Sequence, residues 1–274
     1  MTVLKKFPTI VCDNFFSDVD TVRNFGLSLK FFPSSGSFPG ERSDDLSKLN
    51  PVLGRAFLQK IFSLYWNDPS KITCDAARIK FQKIPSFSKK ETDFRNQGWI
   101  HQDKVVNRNK LAGVIYLTPN PRLDTGTSIF RPKVEDAPEL LNYKKGENSA
   151  NPNKEKSVTI ENWHLEYKVS SNGVNKAKEL AKQGFEIDYD KLEEYKNKWN
   201  GCFEPVTQVN NVYNRLISFD GNEYHAANSY YNTDQERLII VFFIDNVKGG
   251  TMPKDRVVKD NLTEIINASN KVTV

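Results

Sequence analysis

Residues 110–119 read KLAGVIYLTP. The run is apolar at almost every position and stops at Pro119, with a second proline at Pro121. A run this short predicts a strand, and apolar residues at successive positions mean that both of its faces are covered. The stretch ERLIIVFFID, residues 236–245, has the same character. Shorter segments share the signal. ARIKFQKI (77–84) alternates and is bounded by Pro85, TSIFRP (127–132) and NRLISFD (214–220) have strand composition, and GWIHQDK (98–104) is extended in character. Several short strands separated by turns predict a mainly β architecture with flanking helices, a β-sandwich or jelly roll.

Working outward, the segment SDVDTVRNFGLSL (17–29) predicts a helix with Ser17 as its N-cap and Asp18 and Asp20 in the first turn. A loop rich in Ser, Pro and Gly follows over 31–45. A second helical pattern covers 50–66, with Leu53, Phe57, Ile61 and Leu64 on roughly one face. Residues 133–208 are charged, rich in Lys, Asn and Glu, and poor in strand signals; they read as an insertion carrying helices, with KAKELAKQ and KNKWN the helical pieces. One domain over 1–274 is therefore expected: a helical part over 1–76, a strand core over 77–132 and 209–247, the insertion over 133–208, and a polar tail over 248–274.

Composition narrows the class. The 274 residues include 18 Phe and 10 Tyr, which favour strands and wide cores. Cys12, Cys74 and Cys202 are far apart and odd in number, which predicts reduced thiols buried as small apolar residues. No apolar run is long enough for a signal peptide or a membrane span, so a cytoplasmic protein without a membrane partner is expected. The net charge of +5 comes from scattered lysines, 39 basic against 34 acidic residues, and the absence of a dense block argues against nucleic acid as the partner.

The chemistry concentrates on three histidines in the whole chain. In His101-Gln102-Asp103, residues two apart on a strand project from the same face, so an imidazole and a carboxylate stand side by side. His225 follows NRLISFD and a turn at Asp220-Gly221-Asn222. Two histidines and one carboxylate on one face of an octahedron leave three positions open, the facial triad of non-haem Fe(II) oxygenases. Taken singly, HxD is a common pair and His225 reads as an ordinary structural histidine; the joint pattern is what carries the metal reading. Arg237 opens a strand apolar on both faces, so its guanidinium needs an anionic partner if buried, either a bound carboxylate or one of the protein's own. His164, in the insertion, reads as a surface or packing residue.

In order along the chain, RIKFQKIPSF with GWIHQDK, KLAGVIYLTPN, DTGTSIF, NRLISFDGNEYH and ERLIIVFFID resemble the Fe(II)/2-oxoglutarate-dependent dioxygenases, specifically their prolyl-4-hydroxylase-like branch. The opening, DNFFSDVDTVRNFGLSLKF and FPGERS, is similar to that of uncharacterised oxygenase-like proteins of bacteria and their viruses. The resemblance implies a double-stranded β-helix core, with His101, Asp103 and His225 as iron ligands. It implies that Arg237 binds the distal carboxylate of 2-oxoglutarate and that Tyr116 donates its hydroxyl to the same carboxylate. It implies dioxygen as reactant, decarboxylation of 2-oxoglutarate to succinate, ascorbate as a supporting reductant, and hydroxylation of an unactivated C–H bond in a small molecule or a peptidyl residue such as proline. Asp103 speaks against a halogenase, and Phe243 stands where AlkB-type demethylases carry a second arginine. The departures are a gap of 12 residues between His225 and Arg237, a lone Gly126 where a glycine pair is common, and the large insertion. Arg215 reads as structural, and Arg42 and Ser43 as a turn beside the core. Two other classes fit the same strands: a non-catalytic jelly-roll binding protein, and a jelly-roll metalloenzyme that uses no 2-oxoglutarate.

Overall fold

The computed structural model describes residues 7–33, 38–85, 98, 100–103, 110–133, 197, 200–229 and 236–249. Both long apolar runs are central strands. In chain order the elements are β1 (Ile10–Cys12), α1 (Val19–Ser28), β2 (Phe31–Pro33), β3 (Glu41–Ser43), α2 (Leu46–Leu49), α3 (Pro51–Phe62), β4 (Ala76–Ile84), β5 (Lys110–Tyr116), β6 (Thr127–Pro132), β7 (Phe203–Val209), β8 (Leu216–Asp220), β9 (Tyr224–Ala227) and β10 (Arg237–Asp245). The large sheet has the order β1-β8-β5-β10-β4-β3-β2 and the small sheet β7-β6-β9, all pairs antiparallel. An isolated bridge from His101 to His225 extends the small sheet past β9. From β4 onward the chain therefore passes large, small, large, then small twice, then large, small, large. This is the winding of a jelly roll, the double-stranded β-helix.

Strand alternation sorts the core into two layers. On β10, Leu238, Ile240, Phe242 and Ile244 face outward and pack under the helices with Ile61, Phe57 and Tyr65. Ile239 and Val241 face inward, with Tyr116, Ile217 and Phe219 of the large sheet and Ile129 and Val209 of the small one. The Tyr65 hydroxyl donates to Ser218 Oγ at 2.8 Å and fixes the end of α3 on β8. Arg215 is structural, its Nε and Nη2 donating to the two Asp13 oxygens at 2.5 and 2.8 Å. No helix among the described residues is long and apolar enough to cross a membrane.

Several local expectations change. The N-cap of α1 is Asp18, not Ser17: Asp18 Oδ1 accepts from Thr21 N at 3.0 Å, and its other oxygen from Thr21 Oγ1 at 2.7 Å. Asn50 caps α3, which ends at Phe62. Among the described residues of GWIHQDK, His101 makes a single bridge. Residues 203–208, read with the insertion, belong to β7, an edge strand whose exposed polar positions and Pro205 hide its β character. Arg42 and Ser43 lie on β3 rather than in a turn. Asn197 and Asn200 of KNKWN are helical, whereas KAKELAKQ, His164 and the tail beyond residue 249 lie outside the described residues.

Gly113 sits where β5 is tightest. A Cβ there would lie 2.3 Å from Phe242 Cζ and 2.4 Å from the Ile217 carbonyl oxygen. Backbone cannot yield as a flexible side chain can, so Gly113→Ala is expected to destabilise the fold by about 1–3 kcal/mol. Chemical denaturation checks this: the midpoint falls while the slope with denaturant is unchanged.

Candidate metal centre

His101, Asp103 and His225 come together where the bridge at His101 meets the start of β9. Their ligand atoms all lie within 4.8 Å of one another, a geometry that could hold a metal ion. Reciprocal backbone bonds set the pair of histidines: His101 N donates to His225 O at 3.0 Å, and His225 N to His101 O at 2.8 Å. The rings are 4.4 Å apart between centroids. Asp103 N donates to Gly221 O at 2.8 Å, which holds the carboxylate against the β8–β9 turn. The two-residue period thus brings His101 and Asp103 to one side, while the Gln102 amide donates to the Asn222 carbonyl.

The turn itself is clamped by Asp220, a buried carboxylate. Its Oδ1 accepts from Asn222 N and Nδ2, both at 2.9 Å, and its Oδ2 from Phe7 N at 3.0 Å. His225 is buried, with Nδ1 2.9 Å from the Glu223 carbonyl oxygen. Donation from Nδ1 to that carbonyl leaves Nε2 as the ligand atom, and Nε2 faces Asp103 Oδ2 at 3.3 Å. Phe219 stacks against the same ring at 4.6 Å.

Burial would raise the Asp103 carboxyl, but the charges and hydrogen bond of His225, with His101 and Lys110 behind it, outweigh burial and hold Asp103 well below the usual carboxylate range. Burial likewise works against a charged His225, and Asp103 and the Glu223 carbonyl reverse it, so its pKa is raised. Each group is electrostatically satisfied by the other. Two imidazole nitrogens and one carboxylate oxygen are a donor set suited to Fe(II), and no cysteine joins the cluster.

The two cosubstrate candidates share the inward face. Tyr116 pairs with Ile239, and Arg237 lies one inward position further along β10. Both are buried. Tyr116 donates to Thr127 Oγ1 at 2.8 Å, so its hydroxyl is held by β6. Arg237 Nη1 donates to the carbonyls of Thr125 and Ser229 at 3.1 and 3.2 Å. Ser229 stands only four residues after His225, so the chain between His225 and Arg237 starts back toward the guanidinium, and the 12-residue gap does not displace Arg237 from the inner face.

Asn200 was not foreseen. Its Oδ1 accepts from Ile100 N and its Nδ2 donates to Gly98 O, both at 3.1 Å, so it ties the segment leading into His101 to the start of β7. Nothing in the sequence flags a contact between residues so far apart.

The family model for DUF6445, a family of unknown function, matches residues 2–173. The matched span contains His101 and Asp103 and ends before His225. No curated protein matches the sequence. Among solved structures, the chain is similar to HygX from Streptomyces hygroscopicus with nickel and 2-oxoglutarate bound, at 13% identity over 87% of this chain and 82% of that one, TM-score 0.45. It is similar to a Pseudomonas putida prolyl-4-hydroxylase at 12% identity, covering 88% and 93%, TM-score 0.36. It is also similar to EvdO2 from Micromonospora carbonacea var. aurantiaca complexed with 2-oxoglutarate, at 10% identity over 90% of each chain, TM-score 0.42.

The geometry predicts tight binding of one divalent cation. Asp103→Ala should weaken Mn(II) binding by more than about 100-fold, because groups that only orient a ligand are themselves worth roughly 10–100-fold. Asn200→Ala should fall in that lower range. Titration followed by the electron paramagnetic resonance of free Mn(II) measures both; wild-type affinity in Asp103→Ala would contradict the assignment.

Proposed function

We propose that this chain, which belongs to the family of unknown function DUF6445, is a non-haem iron(II) and 2-oxoglutarate-dependent dioxygenase that hydroxylates an unactivated C–H bond of a small molecule or a peptidyl residue. The observation that carries the proposal is the convergence of His101, Asp103 and His225 within 4.8 Å at the inner wall of a jelly roll. Bound iron, with 2-oxoglutarate and dioxygen, supplies the oxidising power for such a hydroxylation and leaves succinate and carbon dioxide.

The protein's own residues do the rest. His101, Asp103 and His225 would hold the cation from one side and leave coordination positions open. The Glu223 carbonyl fixes the tautomer of His225, so Nε2 is ready without reorganisation. Arg237 receives the far carboxylate of 2-oxoglutarate, and Tyr116 lies on the same face, where its one hydroxyl proton turns from Thr127 Oγ1 to that carboxylate on binding. The Arg237 guanidinium is buried in the wall with its Nη1 on two backbone carbonyls, and its planar fork suits a carboxylate. Ile217, Ile239 and Val241 line the inner face between and exclude water from the reacting centre.

Two measurements test this reading. Protein loaded with Fe(II) and ascorbate should convert 2-oxoglutarate to succinate, and Asp103→Ala should not. Arg237→Ala should weaken 2-oxoglutarate binding to the Mn(II)-loaded protein by about 10- to 100-fold, the worth of a charge-assisted contact, while metal affinity stays unchanged. Metal binding with no 2-oxoglutarate affinity would favour a metalloenzyme that does without the cosubstrate. Loss of both would favour a non-catalytic binding protein.

A further inference from the structure

We propose that the substrate carries an anionic group, a phosphate or a carboxylate, and that Lys110, Arg78 and Arg42 receive it beside the Phe243 ring, next to the candidate metal ligands. The proposal rests on the oxygenase reading and adds the substrate class.

Inward positions of a large sheet are expected to be apolar, as Ile239 and Val241 are. At the end of β10 away from Arg237 they are not. Register and alternation bring Lys110, Arg78, Phe243 and Asp245 to one inner patch, with Lys80 the next inward residue of β4. Arg78 Nη2 lies 3.2 Å from Asp245 Oδ2, and Lys110 Nζ lies 3.5 Å from Asp245 Oδ1. The Phe243 ring has three cations around it, Arg42 and Lys110 at 5.8 Å and Arg78 at 5.7 Å from its centroid. Arg42 is steered inward by its Nε bond to Gln82 Oε1 at 2.9 Å and lies over Phe38 at 3.7 Å. Among the described inward residues of β4, β5, β8 and β10, Asp245 is the only carboxylate. Lys110 and Arg78 therefore share Asp245, Lys110 also faces Asp103 across Gly221, and Arg42 brings a further cation to the same ring.

A structural ion pair needs only Lys110 and Asp245. Drawing further cations to one aromatic ring adds like-charge repulsion that folding does not require. An arriving anion relieves it, and the exposed face of Arg78 leaves the patch open at its rim.

The patch is also adjacent to the metal candidates. Lys110 O accepts from Gly221 N and Gly221 O accepts from Asp103 N, each at 2.8 Å, so one glycine separates Lys110 from a ligand. The Lys110 stem lies on that glycine, where a Cβ would stand 2.9 Å from Lys110 Cδ. Arg237 is six strand residues from Phe243, about 20 Å. The 2-oxoglutarate carboxylate and the substrate's anion therefore have separate cationic ends of one inner wall. Phe243 offers a flat apolar face to the part of the substrate next to the anion.

The test uses inorganic phosphate and acetate as probes, followed by the line widths of phosphorus and carbon-13 resonances. Each is titrated into metal-free protein and into Mn(II)-loaded protein with 2-oxoglutarate in excess to fill the Arg237 end. At least one anion should bind the metal-free protein, and which of the two binds tells a phosphate substrate from a carboxylate one. Arg78→Gln and Lys110→Met should each weaken that binding about tenfold or more. In the Mn(II)-loaded protein the bound anion should show strong paramagnetic relaxation that both substitutions abolish. Should Lys110→Met fail to fold by circular dichroism, Arg78→Gln, on a largely exposed side chain, carries the test alone. Absence of binding by either anion, or binding indifferent to Arg78→Gln, overturns the proposal. Anion binding that follows the substitutions in a protein that does not load Mn(II) overturns the oxygenase reading and leaves the cationic patch standing.

Discussion

The two backbone bonds between His101 and His225 are the constraint from which the rest of the site follows. They extend the small sheet by one residue beyond β9, and that residue is itself a candidate ligand. Because the bonds are reciprocal, neither imidazole moves along its strand without the other. Asp103 is then fixed by the same alternation that fixes His101, and by its own amide on Gly221. A cluster assembled this way needs no long side-chain relay. Its precision is that of the sheet, and the buried Asp220 protects the sheet's turn.

Strand β10 organises the electrostatics of the inner wall. One edge carries β5 and the other β4, so its inward residues see side chains from both neighbours. Arg237 opens the strand and Asp245 closes it, with Ile239 and Val241 between. A strand that is apolar outward, under helices α1 and α3, and charged at both inward ends separates two tasks. Its outward half holds the fold together, and its inward ends carry charge on the inner face of the sheet.

The residues that sequence reading recovers are those whose signal is local. KLAGVIYLTP and ERLIIVFFID are unbroken apolar runs, and both are central strands. The spacing of His101 and Asp103 is legible because a period of two needs no knowledge of distant chain. Strands β1, β2 and β3 are not legible, since three residues carry no period. β9 is four residues long and contains the histidine itself. β7 is hidden by its edge position, where exposed polar residues and Pro205 are tolerated. The Asn200 tether and the packing of Lys110 on Gly221 join segments about 100 residues apart, so they belong to tertiary structure alone. Arg42 reads as part of a Gly- and Ser-rich loop until pairing with Gln82 aims it inward.

One iron and one 2-oxoglutarate are proposed to meet at His101, Asp103 and His225. Visible absorption of anaerobic Fe(II)-loaded protein on addition of 2-oxoglutarate tests it most directly, because a 2-oxo acid chelated to Fe(II) gives a weak metal-to-ligand charge-transfer band that neither component gives alone. The band is expected at one equivalent of iron and is expected to bleach when dioxygen is admitted. Iron bound at one equivalent with no band at saturating 2-oxoglutarate would contradict it.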